Sequence, residues 1–185
     1  VGRAAGVFYG YETDGVYATQ QEAEEAGLTL VSTTGEVTPF AAGDMKFVDH
    51  VQDGIINEKD MVVIGNDNHD VYGNLYSNLS YKRLSLNMNF NYSFGNDIYN
   101  YQRSQLESGS QFFNQTTALN RRWIAEGHHT DIPKATFGDP MGNSRFSDRW
   151  IEDGSYLRLR SVTLSYELPV NSVWLQGLTV WATAN

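Results

Sequence analysis

From Leu84 to Phe94 the side chains alternate without interruption. Leu84, Leu86, Met88, Phe90, Tyr92 and Phe94 fall on one face of an extended chain, and Ser85, Asn87, Asn89, Asn91 and Ser93 on the other. Leaving the apolar face in water forfeits on the order of 10 kcal/mol, at roughly 1.5–3 kcal/mol per large side chain. Burying the three amides dry costs about 1–3 kcal/mol each. The pattern predicts a β-strand with one face against lipid or a core and the other against water. Its length matches the roughly 9–11 residues that a tilted strand needs to cross a bilayer, and most strands of soluble proteins stop sooner.

The preceding run repeats the pattern. Val71, Gly73, Leu75, Ser77, Leu79 and Tyr81 share one side, and Tyr72, Asn74, Tyr76, Asn78 and Ser80 the other. Only a short polar step at Tyr81 to Arg83 separates the runs, which predicts an antiparallel hairpin from residue 71 to residue 94. A second hairpin is expected from Ser155 to Leu168, turning through Pro169 to Gly177 and restarting at Leu178. Its apolar positions slip from Leu157 and Leu159 to Val162, Leu164, Tyr166 and Leu168, and a bulge near Arg160 and Ser161 accounts for the switch. Upstream, Val7 to Tyr17 reads as an aromatic extended segment with a turn. A short helix is expected from Gln20 to Ala26, with Thr19 as N-cap, Glu22 completing a capping box and Gly27 past the end. Thr29 to Pro39 reads as polar, β-branched loop, followed by an Asp-rich segment from Asp44 to Asp70. Residues 95–154 read as a long irregular excursion with helical character only near Thr117 to Glu126; loops of this length are functional or mobile as a rule.

The turns at Lys82 and Pro169 are short and the excursions at the other end long, an asymmetry found in outer-membrane barrels. A soluble β-sandwich with one wet face per sheet accounts for the strands equally well. The 185 residues, 41% hydrophobic and 13% aromatic, supply the core of one ordinary domain. No apolar run is long enough for a transmembrane helix, which leaves β-barrels untouched. A net charge of -9 without a basic stripe argues against a nucleic-acid partner, and the absence of cysteine excludes disulfides and thiolate metal sites. The start at Val1 and the end soon after the strand restart at Leu178 read as the ends of a piece of something longer.

The segment 49–60 places oxygen ligands at loop positions 1, 5, 9 and 12, glycine at 6 and a backbone carbonyl at 7, the spacing of a calcium loop. Asp49, Asp53, Asn57 and Asp60 with the Ile55 carbonyl are its candidate ligands. Val51 replaces the third ligand and Asp60 is shorter than the usual Glu, so weak binding is expected. The competing reading is an Asp-Gly turn with solvated acids. Adjacent His128 and His129 point apart in any regular structure and are poor metal ligands. No nucleophile elbow, zinc-protease or phosphate-loop motif occurs, so nothing in the sequence points to an enzyme. Tyr99, Tyr101, Phe112, Phe113 and Trp123 in the long excursion are candidate substrate-binding aromatics, able to stack on sugars or peptide side chains; pinning the loop to its scaffold is the alternative role.

Several segments, taken in order, resemble the SusC/RagA family of TonB-linked outer-membrane transporters of Bacteroidetes. They are Gly6 to Gly15, Gly43 to Asp49 leading into Asp53-Gly54, Val63 to Asn66, Gly95 to Asn100, Arg149 to Arg160, Val162 to Tyr166, and Leu168-Pro169. The resemblance implies an all-β fold, an antiparallel transmembrane β-barrel portion with long extracellular loops, belonging to the C-terminal part of a plugged barrel of roughly 22 strands. In that frame 1–70 is an extracellular loop region, 71–94 a hairpin, 95–154 a long extracellular loop and 155–185 a second hairpin. It further implies a place in the outer membrane with lipid against Leu86, Met88 and Phe90, and water in the barrel against Asn87, Asn89 and Asn91. The partners implied are a SusD-like surface lipoprotein, the TonB complex acting through an N-terminal part absent here, and an oligosaccharide or peptide substrate. Val51 departs from the family's calcium-like loop. The rival expectation is a soluble, calcium-stabilised carbohydrate-binding β-domain, recognisable by its independence of detergent.

Overall fold

A computed structural model of the chain describes residues 2, 4–31, 35–170, 172, 174, 175 and 177–185. In chain order it contains β1 (Val7–Gly10), β2 (Thr13–Val16), α1 (Gln20–Ala26), β3 (Thr29–Val31), β4 (Val37–Pro39), β5 (Met45–Phe47), β6 (Ile55–Ile56) and β7 (Val62–Asn66). The long strands β8 (Val71–Tyr81) and β9 (Leu84–Phe94) follow, then β10 (Asp97–Tyr99), α2 (Tyr101–Leu106), β11 (Ile151–Asp153), β12 (Tyr156–Leu168) and β13 (Leu178–Ala184). Among the described residues no helix is long and apolar enough to cross a membrane, which says nothing about strands. The chain forms two compact units, Asn68–Asn96 with Asp153–Asn185, and Val1–Asp67 with Asp97–Glu152.

The first is a four-stranded antiparallel sheet in the order β13-β12-β9-β8. Its register follows from the alternation, because a slip of one residue would exchange the faces. Leu75 pairs with Phe90, Ser77 with Met88 and Leu79 with Leu86 on one face; Asn74 pairs with Asn91, Tyr76 with Asn89 and Asn78 with Asn87 on the other. Lys82 takes φ 56° to close the two-residue turn. Along β12 the register to β9 shifts between Leu159 and Ser161, leaving Arg160 as the extra residue. The bulge does what the slipped pattern requires: Leu159 opposes Phe90 before it and Val162 opposes Met88 after it, so one apolar face continues across the strand. β13 extends the sheet, with Ala182 beside Leu164 and Trp181 beside Ser165. Residues 171, 173 and 176 of the expected Pro169–Gly177 turn lie outside the described residues.

The second unit is built from short pieces. β1 pairs with β7, β2 with β5 and β10 with β11, while β3 lies between β4 and β6. Its core gathers Val16, Tyr17, Ala23, Phe40, Met45, Phe47, Ile56 and Met141, and Trp150 is fully buried. Helix α1 has the expected bounds. The Thr19 hydroxyl accepts the Glu22 amide at 3.2 Å, the Glu22 carboxylate accepts the Ala18 amide at 2.7 Å, and Gly27 closes the helix at φ 64°.

Three expectations require correction. Thr29 to Pro39 is not a loop at both ends: Thr29–Val31 and Val37–Pro39 pair antiparallel, because Ile55-Ile56 lies alongside β3 in parallel and gives it a partner on each side. Residues 32–34 lie outside the described residues. Helical structure between 95 and 154 is not confined to Thr117 to Glu126. That region shortens to a 3-10 turn at Thr117–Arg121, and α2 forms at Tyr101–Leu106, nucleated by the Asn100 side chain accepting the Arg103 amide at 2.9 Å. The excursion itself is not irregular throughout, since distant polar contacts fold it against the N-terminal segment. Asp148 accepts the amide and hydroxyl of Thr13 at 3.1 and 2.6 Å, Asn143 donates to Asp44 at 2.9 Å, and Trp123 Nε1 donates to the Ala18 carbonyl at 3.0 Å.

Candidate functional site

Two surfaces were singled out by the sequence, and the sheet supplies a third. Its polar face is a neutral ladder over much of its extent. Tyr76 donates to Asn87 at 3.0 Å, the hydroxyls of Ser80 and Ser85 lie 3.2 Å apart, and those of Thr163 and Thr183 2.9 Å apart. Arg158 pairs with Asn91 on this face, and Glu167 with Thr179. The opposite face is mostly Leu, Met, Phe, Val and Tyr, interrupted by Ser77 opposite Met88 and by Gly73, where any Cβ would stand 2.7 Å from the Tyr92 hydroxyl. The Tyr92 ring fills that place.

The five candidate ligands of the 49–60 loop lie in one polar knot, and their oxygens hold backbone amides. Asp49 accepts from Gln52 at 2.6 Å and Gly54 at 2.8 Å. Asp53 accepts from Ile55 at 3.0 Å. Asp60, fully buried, accepts from Val51 at 3.2 Å and Asn57 at 2.9 Å. Asn57 donates to the Ile55 carbonyl at 3.0 Å and accepts from Lys59 at 2.9 Å. Burial pushes the Asp49 carboxyl up, but the Gly54 and Gln52 amides outweigh it and hold the group below the usual carboxylate range. The Asp60 carboxyl also contacts that of Asp49. Among the described residues no three His, Asp or Glu side chains converge as a metal-binding group. As a fit to calcium, the knot offers the right donor chemistry with its oxygens already engaged.

The five candidate aromatics do not form one cluster, although Tyr99 and Tyr101 meet edge-on at 6.2 Å. Tyr99 hydrogen-bonds Ser104 at 2.9 Å and meets Phe146 edge-on at 4.9 Å. Trp123, besides its bond to Ala18, lies over Gly43, which at φ 82° leaves no room for a Cβ: the indole would be 2.5 Å away. These two are part of the scaffold's packing. Tyr101, Phe112 and Phe113 are exposed, Phe112 by 90%, and Phe112 stacks on Phe137 at 4.8 Å. Phe137 escaped the sequence reading because 25 residues of chain separate the two rings.

Equally illegible was the polar group on α2. Arg103 binds Glu107 at 3.1 Å and Glu152 at 3.0 Å. Asn100 and Arg103 together hold the Glu152 carboxyl below its usual range. The one available signal was Trp150-Ile151-Glu152, an aromatic and an acid beside a strand start.

A sheet of long amphipathic strands with a bulge that keeps one face largely apolar, and a separate unit of short paired strands, define an all-β chain. The chain is 31% identical over 186 aligned residues to TonB-dependent receptor P26 of Formosa agariphila, covering 99% of the chain and 18% of the relative. It is 33% identical over 177 residues to TonB-dependent receptor P3 of the same organism, covering 96% of the chain and 16% of that relative. Among solved structures, the RagAB peptide importer in its closed-closed state superposes with a TM-score of 0.61 at 21% identity, over 96% of the chain and 18% of the larger one. A structure of the RagAB peptide transporter gives a TM-score of 0.62 at 22% identity, with the same coverage. At this identity the solved structures speak for the fold alone. No family model matches the chain. The chain is a segment of a SusC/RagA-type TonB-dependent receptor. It spans less than a fifth of the length of the curated relatives it matches.

Proposed function

We propose that the parent protein imports a polymer-derived nutrient, a peptide or an oligosaccharide, across the outer membrane with a SusD-like lipoprotein and energy from TonB. On this reading β8, β9, β12 and β13 are barrel wall, with Leu86, Met88 and Phe90 toward lipid and Asn87, Asn89 and Asn91 toward the lumen. The unit of Val1–Asp67 and Asp97–Glu152 belongs to the extracellular side, where Tyr101, Phe112 and Phe113 are available to substrate or lid. The exposure of the sheet's apolar face carries the proposal: Leu75, Leu79, Leu157, Leu159 and Leu164 stand exposed, where a soluble sandwich would bury them against a second sheet and a barrel wall presents them to lipid. The relatives' names favour a receptor over the soluble carbohydrate-binding alternative. Nothing about them suggests catalysis, and no residue is assigned a catalytic role.

Transport on this reading is differential binding. Substrate is held by exposed loop groups, and movement of a plug opens a path along a largely neutral polar wall that binds it weakly at many points. The deciding experiment is uptake in a strain lacking the receptor, complemented with the intact gene, in the presence and absence of TonB. Growth on the native polymer that needs both receptor and TonB is expected; growth without TonB overturns the assignment.

The 49–60 loop carries a second proposal: weak binding of a hard cation, calcium first, by Asp49, Asp53, Asn57, Asp60 and the Ile55 carbonyl. Its support is the spacing together with the gathering of the Asp49, Asp53, Asn57 and Asp60 side chains in one knot. Calorimetry of the intact receptor with calcium, before and after Asp53→Ala, is the test. Identical heats leave only the role of organising backbone.

A further inference from the structure

A cleft of about 250 Å³ opens in the unit of Val1–Asp67 and Asp97–Glu152, lined by Thr13, Met45, Arg103, Asp131, Asp148 and Arg149. Four of these side chains carry charge, and two of the four are already spent. Both oxygens of Asp148 are taken by Thr13, the amide lying 3.1 and 3.2 Å from them and the hydroxyl 2.6 Å from one. Arg103 holds Glu107 through Nε and Glu152 through Nη1. Asp131 is exposed.

Arg149 differs from the rest. Its guanidinium carbon lies 4.3 Å from the centroid of the Trp150 ring, and Trp150 is itself fully buried. Stacking uses the π face of the guanidinium and leaves its in-plane N–H donors available. Yet Nη1 and Nη2 are both buried, and among the described residues neither has a hydrogen-bond partner. Burial drags this guanidinium down to about 10, the nearby charge of Glu107 working against it and that of Arg103 with it. A buried cation without an acceptor is costly, typically by several kcal/mol, and native proteins seldom leave one without a use. Turning its amino groups toward the cleft breaks no hydrogen bond, because they make none. Arg103 is neutralised by its two acids, which leaves Arg149, among the described residues, as the cation of the cleft wall without an acid of its own.

We propose that this cleft is a carboxylate-binding subsite, in which Arg149 receives a single carboxylate of the imported molecule through paired N–H···O bonds. The subsite rests on the importer reading and narrows it to acid-bearing substrates. A planar guanidinium edge matches a planar carboxylate, and exposed Asp131 discourages polyanions while tolerating a monoanion. Two sources present that chemistry: the C-terminal carboxylate of a peptide and the carboxylate of a uronic acid.

The test is equilibrium binding to the intact receptor, purified in detergent with its lipoprotein partner. One arm compares trialanine with its C-terminal amide; the other compares a galactose trimer carrying one galacturonate unit with the neutral galactose trimer. At least one acid is expected to bind roughly 10-fold or more tightly than its uncharged counterpart, as charge-assisted bonds require, and the arm that shows the preference names the source. Arg149→Gln abolishes the preference, and Arg149→Lys restores part of the charge term without the paired geometry. Equal binding of acid and uncharged forms in both arms overturns the proposal. So does an unchanged preference in an Arg149→Gln receptor that keeps its heat-modifiable mobility. If that variant fails to fold, the comparison of acid with uncharged ligand on the natural receptor still decides. Because binding in detergent needs neither TonB nor transport, a failed subsite and a failed importer assignment give different results.

Discussion

The two units of this chain are stabilised in different ways. In the sheet, every residue on β9 has its partner fixed by a period of two, and the same rule carries over to β8, to β12 past one bulge and to β13. In the other unit, the strands are two to five residues long, a modest apolar core is present, and carboxylates distant along the chain accept amides at strand ends and at the start of helix α1. Asp148 on Thr13, Glu126 on the Gln20 amide at 2.6 Å, and Asp97 on the Asn66 amide at 2.8 Å are of this kind. Repetition makes the first unit tolerant of a lost contact and intolerant of a lost face. The second is the reverse: each anchor is unique, so the loss of one is local but uncompensated.

The largest break in this comparison is expected at Trp150, the bulkiest fully buried side chain. Trp150→Ala should cost about 3–5 kcal/mol, confined to the unit it packs in. Limited proteolysis of the intact receptor is expected to cut within 97–152 while peptides from 71–94 stay protected. Loss of both together would mean that the units do not fold independently. Next comes a test of faces. Phe90→Arg places a cation on the apolar face and should cost roughly 2–4 kcal/mol if that face meets lipid; Asn89→Arg, one residue away on the polar face, should cost well under half of that. Urea unfolding of the refolded receptor in lipid reads both, and equal costs would remove the membrane orientation.

How much of this was legible in advance follows the same division. The hairpin, its turn at Lys82, the Arg160 bulge and the N-cap at Thr19 depend on neighbours within a few residues or on a strict period, and the sequence displays both. β3 looked like loop because one of its two partners is Ile55-Ile56, some 25 residues on, and β4 because its partner is β3. Helix α2 was overlooked since it is short and its one apolar residue past Tyr101, Leu106, gives no periodicity. Of the candidate site, spacing could show that the acids of 49–60 belong together, but not that Asp60 would turn its oxygens on Val51 and Asn57. It could mark loop aromatics, but not which would be spent on packing. Arg149 is invisible to any local rule, being distinguished only by the acceptors it lacks.

A smaller effect sharpens the view that acids serve as anchors. Asp60→Ala leaves the Val51 and Asn57 amides without acceptors, and two orphaned, partly buried donors should cost about 1–3 kcal/mol. Hydrogen exchange is expected to accelerate over residues 49–60 and in β3, which pairs with β6, while β9 is unchanged. Asp53→Ala, which frees only the exposed Ile55 amide, should have a lesser effect. If the two substitutions act alike, the knot is not what holds this segment.

The smallest expected effect is also the most specific to charge. Glu22 lies below its usual range, first because Lys46 donates to it at 2.5 Å and then because the Ala18 amide does. A carboxyl whose folded pKa is depressed stabilises the fold above its unfolded value of 4.5, and that contribution disappears as pH falls through the depressed folded value. The pair is partly exposed, Glu22 by 40% and Lys46 by 24%, so screening limits it to about 0–1 kcal/mol. On moving from about pH 6 to about pH 3, exchange over residues 18–27, corrected for the intrinsic rate, should quicken slightly. Glu22→Gln should erase that dependence, since an amide keeps no charge to lose. The uncharged run of β9 between Leu84 and Phe94 has no carboxylate of its own and is expected to show no such change. A pH response of equal size there would mean that the acid transition belongs to the whole receptor, and the contrast between the anchored unit and the patterned one would not extend to charge.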